Sequence, residues 1–331
     1  MSFTVYKGSP SGIVAASSKK PALQRDQVLV KVTHSGVCYT DVHYKSADMV
    51  LGHEGVGNVE DTGPDVQELK KGDRVGWGYE HDCCGRCNHC LSGWETFCPD
   101  RKMYGQADLD QGSFATHAVW REAFLFRVPD ALSNEAAAPL MCGGSTVFNA
   151  MVVAGVKPTD TVGILGIGGL GHLAIQFASK MGCHVVVFSG TDSKRDEATQ
   201  LGADEFHATK GATELKLHSA RKLSHLIVST SALPDWRLYL GVLDARATIS
   251  PLTVSDKPFT FPHTDLVVRG LRVQGGIVAT RQVHRDMLQF AAFHGIKPMV
   301  VRYPMSEQGI RDCLRTLEEG KMRYRGVLAV S

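Results

Sequence analysis

Between residues 26 and 33 apolar side chains fall at every second position, with Val28, Val30 and Val32 on one face, which is the period of a half-buried strand. Similar glycine-punctuated strand patterns cover 55–60, 72–78 and 112–120, and Thr62-Gly63-Pro64 marks a turn. The first part of the chain therefore predicts a closed or partly closed β-domain. Near Asp160 the period changes: 161–166 reads as a short apolar strand, after which Leu170, Leu173, Ala174, Phe177, Ala178 and Met181 recur at helical spacing, and 184–188 is strand again. Apolar runs at 225–228, 247–251 and 271–274 extend this alternation into a parallel doubly wound sheet. A helical stretch at 282–294 and a strand at 326–330 have no place at the end of such a sheet. They are assigned to the first domain. The expected architecture is α/β, with a β-rich domain over 1–145 and 284–331 and a doubly wound domain inserted over 146–283.

A chain of 331 residues that is 43% hydrophobic can fill two such cores. Its 36 basic and 34 acidic residues leave a formal net charge of +2, and no run of five like charges occurs. That argues against nucleic acid or a membrane surface as the main partner. No segment reads as a signal peptide or approaches the roughly 18 apolar residues of a membrane span, so a cytoplasmic protein is expected. Five of the nine cysteines fall between Cys83 and Cys98. Such clustering in a chain too long to need staples points to metal-bound thiolates in a reducing compartment.

Gly166-Ile167-Gly168-Gly169-Leu170-Gly171 matches G-x-G-x-x-G at the junction of a predicted strand and helix. Glycines there let the backbone turn tightly and approach a pyrophosphate, whose charge is favoured by the free N–H groups of the helix start. An NAD site carries an acid about 20 residues further on, to bind the ribose. Here that place reads Phe188-Ser189-Gly190-Thr191, without a carboxylate. Asp192 follows and reads as a helix N-cap, while Lys194 and Arg195 are close enough to meet a 2′-phosphate, so NADP(H) is expected.

Cys84, Cys87, Cys90 and Cys98 follow the pattern C-x2-C-x2-C-x7-C, which lets one short loop wrap a tetrahedral ion. Zinc held by four sulfurs has no open position and is structural. Arg86 and His89 can offset the negative charge of the site, and Cys83 is a spare thiol beside the first ligand.

Three further pieces lie apart: Cys38-Tyr39-Thr40-Asp41-Val42-His43, Gly52-His53-Glu54-Gly55 and Pro139-Leu140-Met141-Cys142-Gly143-Gly144. With the Gly72-Asp73-Arg74-Val75 segment, the cysteine loop and the glycine motif, they resemble the zinc-containing medium-chain dehydrogenase/reductase family, in its order and over essentially the whole chain. The ribose-site residues are most similar to its NADP-dependent, cinnamyl-alcohol-dehydrogenase-like branch. The resemblance implies a GroES-like catalytic domain and a Rossmann nucleotide-binding domain. It implies a catalytic zinc on Cys38, His53 and Cys142, with Glu54 as an alternate or supporting ligand, and hence two zinc ions per chain. It also implies that Thr40 and His43 relay a proton, that Asp41 supports His53, and that Thr146 and Arg325 touch the nicotinamide and the pyrophosphate. Two thiolates and a neutral imidazole would neutralise a zinc dication and leave a corner open, as a catalytic site requires. The implied substrate is a primary alcohol or aldehyde, aromatic or allylic if Trp77 and Tyr79 line the pocket, with reduction as the physiological sense. Symmetric homodimers, or homotetramers, are the family expectation. The 44–51 stretch is shorter than in many relatives and bears on pocket shape.

Three other readings compete. An NAD-dependent polyol dehydrogenase would want an acidic ligand in place of Cys142 and an acid at the ribose. An NADPH-dependent reductase of a conjugated carbon–carbon double bond would not need Thr40 and His43. A scaffold or quinone sensor of the same fold would not need the full zinc set.

Overall fold

The alternating valines of the first domain make the central strand of a seven-stranded sheet in the computed structural model, which describes residues 1–330. Gln27–Val37 pairs antiparallel with Gly55–Thr62 and with His117–Arg121, and Arg325–Ala329 closes on its far end. Val28, Val30 and Val32 are fully buried against Val75, Trp77 and Trp120. Burying those side chains contributes roughly 1.5–3 kcal/mol each, which explains why the period is so legible in the sequence. Trp77 stacks on Trp120 with ring centroids 5.4 Å apart and is fully buried, so it belongs to this core and lines no pocket.

The second unit is a six-stranded parallel sheet in the order Glu205–Ala208, His184–Ser189, Thr161–Leu165, Leu223–Val228, Leu243–Pro251, Arg272–Val273. The order steps outward in both directions from Thr161–Leu165, the doubly wound pattern that puts ligands at the carboxyl ends of the strands. The chain divides at Ser145 and again at Val278, giving one unit of Met1–Ser145 with Val278–Ser331 and one of Thr146–Ile277. Residues 278–283, assigned to the nucleotide domain from sequence, belong to the first unit. Their anchor is Glu95, whose carboxylate accepts from the Arg281 backbone N–H at 2.6 Å. The expected strands at 72–78 and 112–120 shorten to Arg74–Trp77 and His117–Arg121, the former because Gly72 turns with φ +94°. The hairpin Ser2–Lys7 with Val14–Lys19 and the helix Glu307–Glu318 were not predicted, although Ile310, Cys313, Leu314 and Leu317 recur at helical spacing behind the N-cap Ser306.

One continuous helical run, Asn134–Ala154, is long and apolar enough to cross a membrane by length and composition, contrary to the expectation above. In its most apolar window 78% is buried inside the protein, which is the situation of a core helix.

On the helix Arg281–His294, His284 is 3% exposed and stacks on Phe126 at 4.0 Å. Its Nε2 has no hydrogen-bond partner among the described residues, and burial lowers its pKa to about 3. An unfolded histidine titrates near 6.5, so below that pH the unfolded chain binds a proton the folded chain refuses, and stability falls as pH drops. Between pH 7 and pH 5 the loss is about 2 kcal/mol. His284→Phe should remove that loss in denaturant unfolding followed at the two pH values; an unchanged difference between them would contradict this origin.

Candidate active site

Local geometry draws three distant segments to one point. Gln27–Val37 delivers Cys38 to the N-terminus of the helix Tyr39–Tyr44, and Asp41 Oδ2, in its first turn, accepts from the Cys38 backbone N–H at 2.8 Å. His53 and Glu54 immediately precede the neighbouring strand Gly55–Thr62. Cys142 lies in a π-helical turn, Leu140–Gly144, whose carbonyls at Met141 and Cys142 accept from the Ser145 hydroxyl. Such a turn is a frequent device at functional sites because it re-aims one side chain. Gly78 permits its approach: a Cβ there would stand 2.5 Å from the Met141 carbonyl.

The result is a buried group in which one ligand atom each from Cys38, His53, Glu54 and Cys142 lies within 4.8 Å of all the others. His53 Nε2 and Glu54 Oε2 are buried without a hydrogen-bond partner among the described residues. Leaving two such atoms unpaired costs about 1–3 kcal/mol each unless something binds them. Two sulfurs, an imidazole nitrogen and a carboxylate oxygen so placed suit zinc.

The electrostatics agree. A hydrogen bond from the Cys142 thiol is the largest influence holding Cys38 well below the usual thiol pKa, with His53 adding to it. The same bond, together with burial, pushes Cys142 up, so the pair keeps one proton that a cation would displace. Burial raises the Glu54 carboxyl to about 7 against the opposing charge of Arg325, which donates to its Oε1. Family resemblance implied a pyrophosphate contact for Arg325; its guanidinium, 5% exposed, lies on Glu54 at the head of the strand Arg325–Ala329. Gly36 leaves room for this pair, since a Cβ there would stand 1.8 Å from Glu54 Oε2.

Behind His53, Asp41 Oδ1 faces Nδ1 at 3.2 Å and accepts from the Tyr104 hydroxyl at 2.8 Å. Tyr104, absent from the sequence reading, also accepts from the Gly52 N–H at 3.0 Å and packs its ring 4.6 Å from that of His53. No motif marks it, and only the fold carries it here from residue 104. Tyr79 meets His53 edge-on at 5.3 Å, so of the two aromatics expected to line a pocket only this one lies at the group. Thr40 Oγ1 stands 3.6 Å from Cys38 Sγ, within hydrogen-bond range of sulfur, and His43 is exposed on the same helix. A supporting carboxylate typically changes metal affinity about 10–100-fold. Asp41→Ala should therefore weaken zinc retention at this group by that factor in chelator competition while the cysteine loop keeps its ion; equal retention at both would contradict the role.

The loop cysteines Cys84, Cys87, Cys90 and Cys98 also gather, with one sulfur each within 4.8 Å of the others. Cys87 and Cys90 sulfurs are 3.6 Å apart and those of Cys84 and Cys98 3.5 Å. Cys83 packs instead against the valine and tryptophan core.

In the second unit, Thr161–Leu165 leads into the glycine turn and the helix Gly171–Lys180, with Leu170 at its N-cap position and Gly169 in the turn. The glycines divide the work. Gly166 has φ +96°, open to glycine and strained for other residues. A Cβ on Gly171 would stand 1.9 Å from the Gly166 carbonyl, and a Cβ on Gly168 would meet no described atom within 4 Å, leaving space for an incoming group. Ser189 ends its strand, and Gly190 and Thr191 lie exposed beyond it. Lys194 Nζ donates to the Ile167 carbonyl at 2.6 Å, which places this cation beside the glycine loop. Arg195 is otherwise engaged: it donates to Asp192 and to the Phe206 carbonyl and lies over the Phe206 ring. Asp192 accordingly sits in a 3-10 turn and pairs with Arg195, and does not cap the helix Arg195–Leu201. Lys210, not anticipated from sequence, has its backbone N–H on the Gly190 carbonyl at 3.0 Å. Thr146 opens the second unit, in the helix Ser145–Ala154.

Two family models match this chain: an alcohol dehydrogenase GroES-like domain over residues 24–130 and a zinc-binding dehydrogenase domain over 169–292. An alcohol dehydrogenase of Geobacillus stearothermophilus is 35% identical over 323 residues, covering 94% of each chain. Cinnamyl alcohol dehydrogenase 8 of Arabidopsis thaliana is 32% identical over 92% of this chain and 88% of its own. Among solved structures, a cinnamyl alcohol dehydrogenase of Sorghum bicolor superposes with a TM-score of 0.89 at 30% identity, over 99% of this chain and 98% of its own. The Helicobacter pylori enzyme complexed with NADP(H) has the same TM-score at 23% identity, covering 99% of this chain and 97% of its own, a likeness of fold.

Proposed function

Because this chain belongs to the medium-chain alcohol dehydrogenase family and is an oxidoreductase of the alcohol and aldehyde type, we propose that it is a zinc- and NADP(H)-dependent reductase of primary aldehydes, aromatic or allylic in preference. The observation that carries the reading is the buried Cys38, His53, Glu54 and Cys142 group with its unpaired His53 Nε2. When bound, zinc supplies Lewis acidity to the carbonyl or alcohol oxygen and the nicotinamide supplies or takes the hydride.

The side chains of this chain do the rest. Cys38, Cys142 and His53 would hold the ion, two thiolates and a neutral imidazole balancing its charge. Tyr104 and Asp41 fix the orientation of His53. Glu54, partly neutralised by Arg325, would stand beside the ion as an alternate or supporting ligand. Thr40 holds a proton at its hydroxyl beside Cys38, and exposed His43 on the same helix exchanges it with solvent. The edge of the Tyr79 ring beside His53 favours flat, conjugated substrates. A second zinc in the Cys84, Cys87, Cys90 and Cys98 loop is structural. The exposed valines Val267, Val268 and Val273, on and before the edge strand Arg272–Val273, support assembly as a homodimer. A reducing cytoplasm suits metal-bound thiolates.

For the ribose end, the absence of an acid at 189–191 and the cation of Lys194 beside the glycine loop support NADP(H). A charge-assisted bond to phosphate contributes about 1.5–3 kcal/mol, so Lys194→Ala should raise KM for NADPH by ten- to a hundredfold and leave that for NADH nearly unchanged. Wild-type preference for NADH in kcat/KM would overturn the cofactor assignment.

A further inference from the structure

At the outer edge of the parallel sheet a nearly buried carboxylate gathers three imidazoles that the reaction does not use. Glu205 and His207 are two apart on the edge strand Glu205–Ala208 and so share a face. The register pairs Glu205 with Val186, which puts His184, two residues earlier on the adjacent strand, on that face as well. Glu205 is 7% exposed. Its Oε1 receives His184 Nε2 at 3.0 Å and the Ser219 backbone N–H at 2.9 Å. Its Oε2 receives His207 Nε2 at 3.1 Å and the His218 backbone N–H at 2.8 Å.

Those two amides and His184, whose other nitrogen lies 3.5 Å from Asp204, already satisfy the buried carboxylate. His218 adds nothing to that purpose. Its Nδ1 stands 3.9 Å from Oε2, beyond hydrogen-bond range, and its side chain is 73% exposed. Yet its ring lies 4.8 Å from that of His207, and His207 is itself held by stacking on Phe188 at 5.5 Å. One ligand atom each from Glu205, His207 and His218 lies within 4.8 Å of the others. Zinc ligands stand about 2.0–2.2 Å from the ion, so the exposed His218 ring would have to turn toward Glu205 and His207 to share one.

We infer that Glu205, His207 and His218 form a further metal site for a divalent ion of the zinc, cobalt and nickel class, remote in sequence from both cysteine groups. Two neutral imidazoles and one carboxylate leave a net positive site with positions for water, the donor set that these borderline ions prefer over magnesium or calcium. His184 acts as a positioning residue that fixes the carboxylate from its other oxygen. An ion there clamps the 209–222 connection to the strand edge. That connection begins with Thr209 and Lys210, whose backbone N–H groups bind the Ser189 and Gly190 carbonyls.

The test is a titration of the full-length protein, already carrying its cysteine-held ions, with Co²⁺ and with Zn²⁺. Cobalt at a cysteine site shows an intense sulfur-to-metal charge-transfer band, whereas cobalt on imidazole and carboxylate shows only weak visible absorption, so the sites report separately. Equilibrium dialysis should find one additional equivalent without the sulfur band. His218→Ala, at an exposed position where folding is not at risk, should weaken it at least tenfold, and His207→Gln should do the same with the cysteine-held ions retained. The proposal is overturned if the wild type takes up no ion beyond those on cysteine, or if the extra equivalent persists undiminished in the double variant. Neither result bears on the proposed reaction, which the sulfur band and turnover report.

Discussion

Cys142→Ala is expected to lower kcat/KM for an aldehyde and NADPH by about a thousandfold or more while the protein stays folded. A metal Lewis acid contributes several kcal/mol to such chemistry, and each 1.36 kcal/mol is a factor of about ten. The fold should survive because what shapes the Leu140–Gly144 turn is its backbone: the Ser145 hydroxyl binds the carbonyls of Met141 and Cys142 whatever side chain residue 142 carries. Gly78 leaves room for the same carbonyl path. Steady-state kinetics with metal analysis and circular dichroism would check this. Near-wild-type turnover in a variant lacking the ion would remove the proposed electrophile.

The second large effect is on stability. Cys98 is fully buried and its sulfur lies 3.5 Å from that of Cys84, so Cys98→Ala leaves three ligands for an ion that needs four. A structural zinc can contribute roughly 10–16 kcal/mol to ordering a small module, and part of that is lost here. We expect a destabilisation on the order of 5 kcal/mol, seen as a fall in Tm and the loss of one zinc per chain. The loop carries Glu95, whose carboxylate holds both the backbone and the side chain of Arg281, so its loosening reaches the helix Arg281–His294. An unchanged Tm in a variant that has lost that zinc would show that the loop does not depend on it.

Much of this was legible in the chain because the physics was local. The alternation of Val28, Val30 and Val32 follows from one buried sheet face, and the glycine turn follows from the positive φ of Gly166 and the close backbone approach at Gly171. The cysteine loop is legible because its four cysteines are close in sequence. What was not legible depends on partners far apart. Arg325 meets Glu54 across 271 residues, and Tyr104 reaches Asp41 across 63. Nothing near either residue announces the pairing. Trp77 was open to a pocket or a core reading, and the neighbour that decides it, Trp120, comes from another strand. Lys194 and Arg195 look alike in sequence, yet Asp192 and Phe206 occupy the arginine and the glycine loop receives the lysine.

The most direct measurement of the central claim is a crystal structure of the purified protein with anomalous data at the zinc edge. A peak bounded by Cys38 Sγ, His53 Nε2 and Cys142 Sγ is expected, with its remaining corner open to water or substrate. The absence of a peak there, or Glu54 bound as a fixed fourth ligand in the presence of substrate, would contradict it.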